Sequence, residues 1–291
     1  MRFVRSQAPG SDAVDLGVLG AEGVHDLEQP LAREVPRGDM RAFLELPSAR
    51  REAAAAEALA SPPHAEAVLR APLANPGKLL AVAGGYYPPG AERLSDEATP
   101  YLFAKRTDDI AGPGDPIVLP ELARDVIEEI EIAIVIGAPG RDIPADRALE
   151  HVAAYTICND VSGRTLNLPA AGRRNEEFDR FIDWIDGKWF DGFAILGPAL
   201  VTPDEVPNLP TNARIVTRVS GATRVEGNTT DLIHPFGELI AFASRFMTLQ
   251  TGDVIATGMP HGAEAEVYLR AGDTVEGEID GLGLLTNPVV A

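Results

Sequence analysis

The 291-residue chain has a single cysteine, Cys158, so an internal disulfide framework is excluded. No apolar run approaches the eighteen or so residues of a membrane span. Positive charge is scarce. Lys and Arg number 25 against 44 Asp and Glu, a formal net charge of −19. That balance argues against a nucleic-acid or anionic-membrane partner, either of which needs a basic face. Lysine is scarcest of all, at positions 78, 105 and 188 only. Where arginine is the default cation, a surviving lysine marks a place that needs a compact ammonium. The N-terminal stretch MRFVRSQAPGSDAVDLGVLG lacks the apolar core of a signal peptide and reads as strand. These absences together lead us to expect a cytoplasmic protein.

What is present is a chain that is 45% apolar, enough for a sizeable core. Residues 1–72 read as a small N-terminal α/β domain. It has strand-like RFV and DLGVLG, then an Ala-rich helix in SARREAAAAEALAS closed by Pro62-Pro63. ANPGK at 74–78 reads as a linker. From residue 76 to 291, short strands alternate with Gly/Pro turns: LLAVAG, YLFAKR, EIEIAIVIG, AAYTICNDVS, ALVTP, ARIVTRVSG, DVIATG and TVEGEI. Two helices interrupt them, one after Pro144 and one after Pro235. Clustered strands with few helices predict a β-rich α+β fold, not an alternating βαβ sheet.

The segment EEIEIAIVIG at 128–137 carries the chemistry. At period two, four isoleucines share one face. The other face starts with Glu129 and Glu131, roughly 7 Å apart by the strand rise, and becomes apolar at Ala133 and Val135. An exposed strand end, or pairing with arginines of a neighbour, is the ordinary explanation. Asp160 in CNDVSGR, however, puts another carboxylate where an apolar run meets a turn. Buried carboxylates without a partner raise each other's pKa and destabilise the fold, and a divalent cation removes that penalty. Oxygen donors suit Mg²⁺, with Mn²⁺ or Ca²⁺ as alternatives, better than Zn²⁺. Such an ion suits a chelating 2-oxo acid.

Six segments, among them EIEIAIVIG, AAYTICNDVSGR, GKWFDGFAILGPALVT and NTTDLIHPFGELIAFASRFMTLQTGDVIATGMP, resemble the fumarylacetoacetate hydrolase family in order and spacing. The likeness covers roughly residues 76 to 290. It implies a mixed β-sandwich roll, a homodimer and one Mg²⁺ or related ion per chain. It also implies Glu129, Glu131 and Asp160 as metal ligands, Lys188 as the group that stabilises charge on the substrate, and Lys105 at the substrate carboxylate. Asn167, Thr257 and Tyr86 fall at substrate-contacting positions, and Arg164, just past Asp160, is placed to pair with a carboxylate of the protein or of the substrate.

The sequence departs from the family pattern where proton transfer is expected. Pro89 stands at the position of a family His, leaving Glu92 at the position of its Glu partner. The family TGTP turn is Thr257-Gly258-Met259-Pro260, and Gly192 and Asn167 replace a Thr and a Gln. His261, Glu92 and, after them, Tyr86 or Tyr87 are the remaining candidates for the base. The expected activity is a Mg²⁺-dependent hydrolase that cleaves a C–C bond in a short 2-oxo or 2,4-dioxo acid of acylpyruvate type. The alternatives are a dehydratase of a 2-oxo-3-deoxy sugar acid, a 2-oxo acid decarboxylase, or a metal-binding paralogue without catalysis. Ser162 reads as a turn residue, Cys158 as a small buried neighbour of the site, and Trp184 and Trp189 as packing, with one ring shaping the pocket as the alternative.

Overall fold

A computed structural model describes all residues except 32, 65, 89, 93–98, 170–172, 174 and 262–266. The strand Ile130–Ile136 is its centre, buried along its whole length. Its β-branched residues suit a pleated surface packed on both sides. Ile130, Ile132, Ile134 and Ile136 point into one apolar core. Ala133 and Val135 point into a second, together with Cys158, Leu196 and Leu200.

Ile130–Ile136 lies inside an 11-stranded mixed sheet, between Val152–Asp160 and Val254–Ala256. On one side the order continues through Ala194–Val201 to Arg2–Gln7, Val14–Gly20 and Gly23–Asp26. On the other it continues through Leu79–Ala83 to Tyr101–Lys105. The isoleucine face packs on a five-stranded sheet ordered Ala222–Asn228, Arg214–Val219, Thr274–Ile279, Gly283–Val290, Ile117–Val118. Ile215, Val219, Val275 and Ile279 of that sheet share the first core with the four isoleucines. A separate pair, Ala123–Ile127 with Ser162–Leu166, flanks the end of the large sheet. The fold is a β-rich α+β sandwich, as the patterning predicts.

The eight strands predicted beyond residue 76 all form. The segment after Pro144 is a 3-10 helix, Ala145–His151, not an α-helix, and the one after Pro235 is the helix Phe236–Phe246. The N-terminal segment supplies the helix Ser48–Leu59 as well as strands. Those strands join the large sheet: Arg2 pairs with Val201 and Phe3 with Leu200. Among the described residues, no helix is long and apolar enough to cross a membrane.

Candidate metal centre

The register that aligns Ile130 with Asn159 and Glu131 with Cys158 brings three carboxylates to one end of the sheet. Asp160 N–H donates to the Glu129 carbonyl at 2.8 Å, and the Glu129 N–H donates to Asn159 Oδ1 at 3.0 Å. The backbone thereby fixes Glu129 beside Asp160. One carboxylate oxygen from each of Glu129, Glu131 and Asp160 lies within 4.8 Å of the others. Glu131 and Asp160 are buried, and Glu129 is partly so.

Two lysines answer this charge. The Lys188 ammonium donates to Glu129 Oε2 at 3.0 Å, to Asp160 Oδ2 at 2.8 Å and to Ser162 Oγ at 2.7 Å. Its Nζ also stands 4.9 Å from the Phe103 ring centroid and 5.6 Å from that of Trp184. Those rings exclude water and favour the cation. The Lys105 ammonium donates to Asp160 Oδ1, to the Val161 carbonyl at 3.1 Å and to the Phe193 carbonyl at 2.7 Å. All three of its protons are taken, and it is buried behind Asp160. The sequence resemblance assigns Lys105 to the substrate carboxylate; its observed partners make it a support for Asp160 instead.

Glycines set both approaches. Lys188 follows the helix Glu176–Asp186, which Asn175 caps by accepting from the Phe178 N–H. At Gly187 the chain meets the strand Ser162–Leu166 so closely that a Cβ would lie 1.9 Å from the Gly163 carbonyl oxygen. Gly258 has φ +81°, in the left-handed region that glycine occupies without strain. From there its N–H donates to Glu131 Oε2 at 2.7 Å.

The electrostatics favour a cation. Glu131 is held well above the ordinary carboxylate range by burial first, then by Asp160 and Glu129. Burial also pushes Asp160 up, but the Lys105 and Lys188 ammonium groups outweigh it and hold its carboxyl below its usual value. Burial disfavours the charged form of Lys188, and Glu129 and Asp160 overcome that and raise its pKa. With all three ionised, the carboxylates outnumber the two ammonium groups by one negative charge in a site of oxygen donors. That donor set fits a hard divalent ion held by Glu129, Glu131 and Asp160.

Glu129 and Glu131 open onto a cavity of about 730 Å³. Of the residues singled out in the sequence, Glu129, Glu131, Lys188, Arg164 and His261 line it. His261 Nε2 lies 3.1 Å from the Tyr86 carbonyl oxygen, which can only accept, so Nε2 carries the proton and Nδ1 is the basic nitrogen. Tyr86 is buried, and its phenol is raised by burial. Thr257 is buried too, and its hydroxyl has no partner among the described residues. Neither side chain lines the cavity. Asn167 donates to the Glu121 carbonyl at 3.0 Å, away from the site. Glu92 is exposed and does not line the cavity, and Pro89 lies outside the described residues.

Three features lie outside the preferred sequence reading. Ser162 is no turn residue. It is buried at the start of its strand, accepts from Lys188 and donates to the Asp160 carbonyl at 3.0 Å. Trp184 forms the cavity wall. Glu128 and Arg224 also line the cavity, and burial raises the Glu128 carboxyl to about 7. The third glutamate in EEIE is a visible signal for the first of these. Arg224 has none, because ATRVEGN shows no strand alternation.

Oxygen ligands at the end of a β-sandwich sheet, backed by a fixed ammonium and open to a cavity, define a class of hard-metal sites built for small oxygen-rich acids. The comparisons narrow that class. The family model "Fumarylacetoacetate (FAA) hydrolase C-terminal" matches residues 80–290. The chain belongs to the fumarylacetoacetate hydrolase family. It is 36% identical over 299 residues to the Xenopus laevis protein "Oxaloacetate tautomerase fahd2, mitochondrial", covering 100% of this chain and 90% of the relative. Among solved structures it resembles 5-carboxymethyl-2-hydroxymuconate delta-isomerase from Mycobacterium smegmatis. The TM-score there is 0.76 at 33% identity, over 100% of this chain and 98% of that one. It also resembles maleylpyruvate hydrolase from Sphingobium sp. SYK-6 in complex with manganese (II) ion and pyruvate. That match has a TM-score of 0.81 at 28% identity, over 100% and 99% of the two chains.

Proposed function

We propose that this chain is a divalent-metal-dependent enzyme that interconverts the keto and enol forms of a short 2-oxo acid such as oxaloacetate. The observation that carries this reading is the trio Glu129, Glu131 and Asp160 beside the fixed Lys188 ammonium, with Glu129, Glu131 and Lys188 at the wall of one cavity. A bound divalent ion, Mg²⁺ by donor chemistry, would supply Lewis-acid polarisation of the oxo acid. Lys188 adds a positive field in a site where Phe103 and Trp184 exclude water, which stabilises negative charge as a C3 proton leaves. His261 accepts that proton at Nδ1 and returns it to oxygen, so the interconversion needs no attacking water. The 36% likeness to a protein named as an oxaloacetate tautomerase, over the whole chain, supports this choice. A homodimer is part of the reading, carried by the family resemblance.

Hydrolysis of a C–C bond in an acylpyruvate is the second reading. It is favoured by the likeness to a maleylpyruvate hydrolase holding pyruvate. It would use the same stabilised enolate but also requires an activated water.

The test follows the enol band of oxaloacetate by ultraviolet absorbance with and without Mg²⁺, with product analysis on acylpyruvates alongside. Faster loss of the enol band without new products is expected. Pyruvate released from an acylpyruvate, with no effect on oxaloacetate, would establish the hydrolase instead. No effect on either acid would point to a paralogue that binds metal without catalysis. Lys188→Met should lower kcat by about 10²–10³-fold, the range for a lost electrostatic stabiliser, while metal stays bound. An unchanged kcat would place charge stabilisation elsewhere.

A further inference from the structure

The keto–enol chemistry gives no task to the cavity cation Arg224. Arg224 sits on the edge strand Ala222–Asn228 of the five-stranded sheet, whereas the carboxylate trio belongs to the large sheet. Arg224 and two of the trio, Glu129 and Glu131, line the same cavity. Arg224 Nε is buried and has no hydrogen-bond partner among the described residues. Glu128 Oε2, in the same cavity, is likewise unpartnered, and no ion pair within 4.0 Å joins it to Arg224 among the described residues. A guanidinium on the cavity wall with no carboxylate within ion-pair distance among the described residues can take one brought in by a ligand.

Resting on the oxo-acid reading above, we propose that Arg224 is a specificity residue that holds the distal carboxylate of a dicarboxylic 2-oxo acid. The 2-oxo end lies at the trio, and Arg224 selects against monocarboxylic acids by recognising the far end.

The experiment is calorimetric binding in the presence of Mg²⁺ with two probes. One is 3,3-difluorooxaloacetate, a dicarboxylic 2-oxo acid with no C3 proton to lose. The other is pyruvate, a monocarboxylic one. Arg224→Ala should weaken the dicarboxylate at least about tenfold, about 1.4 kcal/mol, and change pyruvate less than about twofold. Arg224→Lys keeps the charge but loses the planar fork, and should fall between wild type and Arg224→Ala. Thermal melts of both variants, on an edge strand, should match wild type. Equal weakening of both probes, or no weakening of either, overturns the role of Arg224 and leaves the oxo-acid reading standing. Failure of the wild-type protein to bind either probe overturns the oxo-acid reading itself.

Discussion

Glu131 concentrates the conflict between stability and function. Its carboxylate is buried beside two others, and among the described residues only the Gly258 N–H is hydrogen-bonded to it. Glu131→Gln keeps an acceptor for Gly258 and removes the charge. The metal-free variant should be more stable by about 1 kcal/mol or more, a rise of about 2–3 °C in Tm, yet Mg²⁺ should no longer raise its Tm. A variant that still gains stability from Mg²⁺ would remove Glu131 from the ligand set. The pH dependence of wild type follows from two opposite shifts. A carboxyl raised in the folded state, like Glu131, favours folding below its unfolded pKa, and that contribution is lost as pH rises through the folded value. Asp160, lowered by its lysines, contributes stability above its unfolded value and loses it as pH falls through the lowered one. Cation binding requires Glu131 to be ionised, so the Mg²⁺-induced gain in Tm should be larger at pH 8 than at pH 5. Melts across that range with and without Mg²⁺ check it, and a gain that shrinks as pH rises would contradict it. The lysine scarcity is legible at this scale. Lys105 and Lys188 hold Asp160, and Lys78 pairs with the buried Asp253 at 2.6 Å, so each of the three lysines meets a buried carboxylate.

At the scale of elements, the sequence shows strands wherever β-branched residues run between turns, and the trio follows from EIE and CND once those strands pair. It does not show what depends on tertiary contact. The helix Glu176–Asp186 has apolar residues at 178, 181, 182 and 185, a helical spacing, behind an Asn cap. Phe178 and Phe181 nevertheless stay 60% and 54% exposed, so no core marks the segment in advance. Ser162 and Arg224 enter the site through strands whose pairing, not their composition, puts them there. Gly187 is the joint between that helix and the site. Gly187→Ala would press a methyl into the Gly163 carbonyl and displace either the helix end or Lys188. We expect a loss of about 1–3 kcal/mol in stability, together with a fall in kcat larger than any change in metal content. Urea melts and metal analysis on the same preparation measure both. A variant with wild-type stability and kcat would show that this contact does not position Lys188.

The whole molecule turns on whether its first seventy residues are an attachment or part of the fold. Composition and the Pro/Gly segment at 74–78 suggest a boundary, and the family match begins at residue 80. The second core crosses that boundary. Phe3, Leu16, Met40, Phe43 and Leu73 pack with Ala133, Val135, Cys158, Leu196 and Leu200, all buried. Strand Arg2–Gln7 covers the edge of Ala194–Val201, and the N-terminal amine meets Glu205 at 3.0 Å. Removing residues 1–72 would leave that strand an open edge and uncover the sheet face behind Glu131 and Cys158. An apolar face and a free edge exposed together promote aggregation. Expression of residues 73–291 should therefore give aggregated protein, or a soluble chain without a cooperative thermal transition. A soluble 73–291 that melts cooperatively near the wild-type Tm and binds Mg²⁺ would show instead that the N-terminal segment folds as a unit of its own and that the metal centre stands without it.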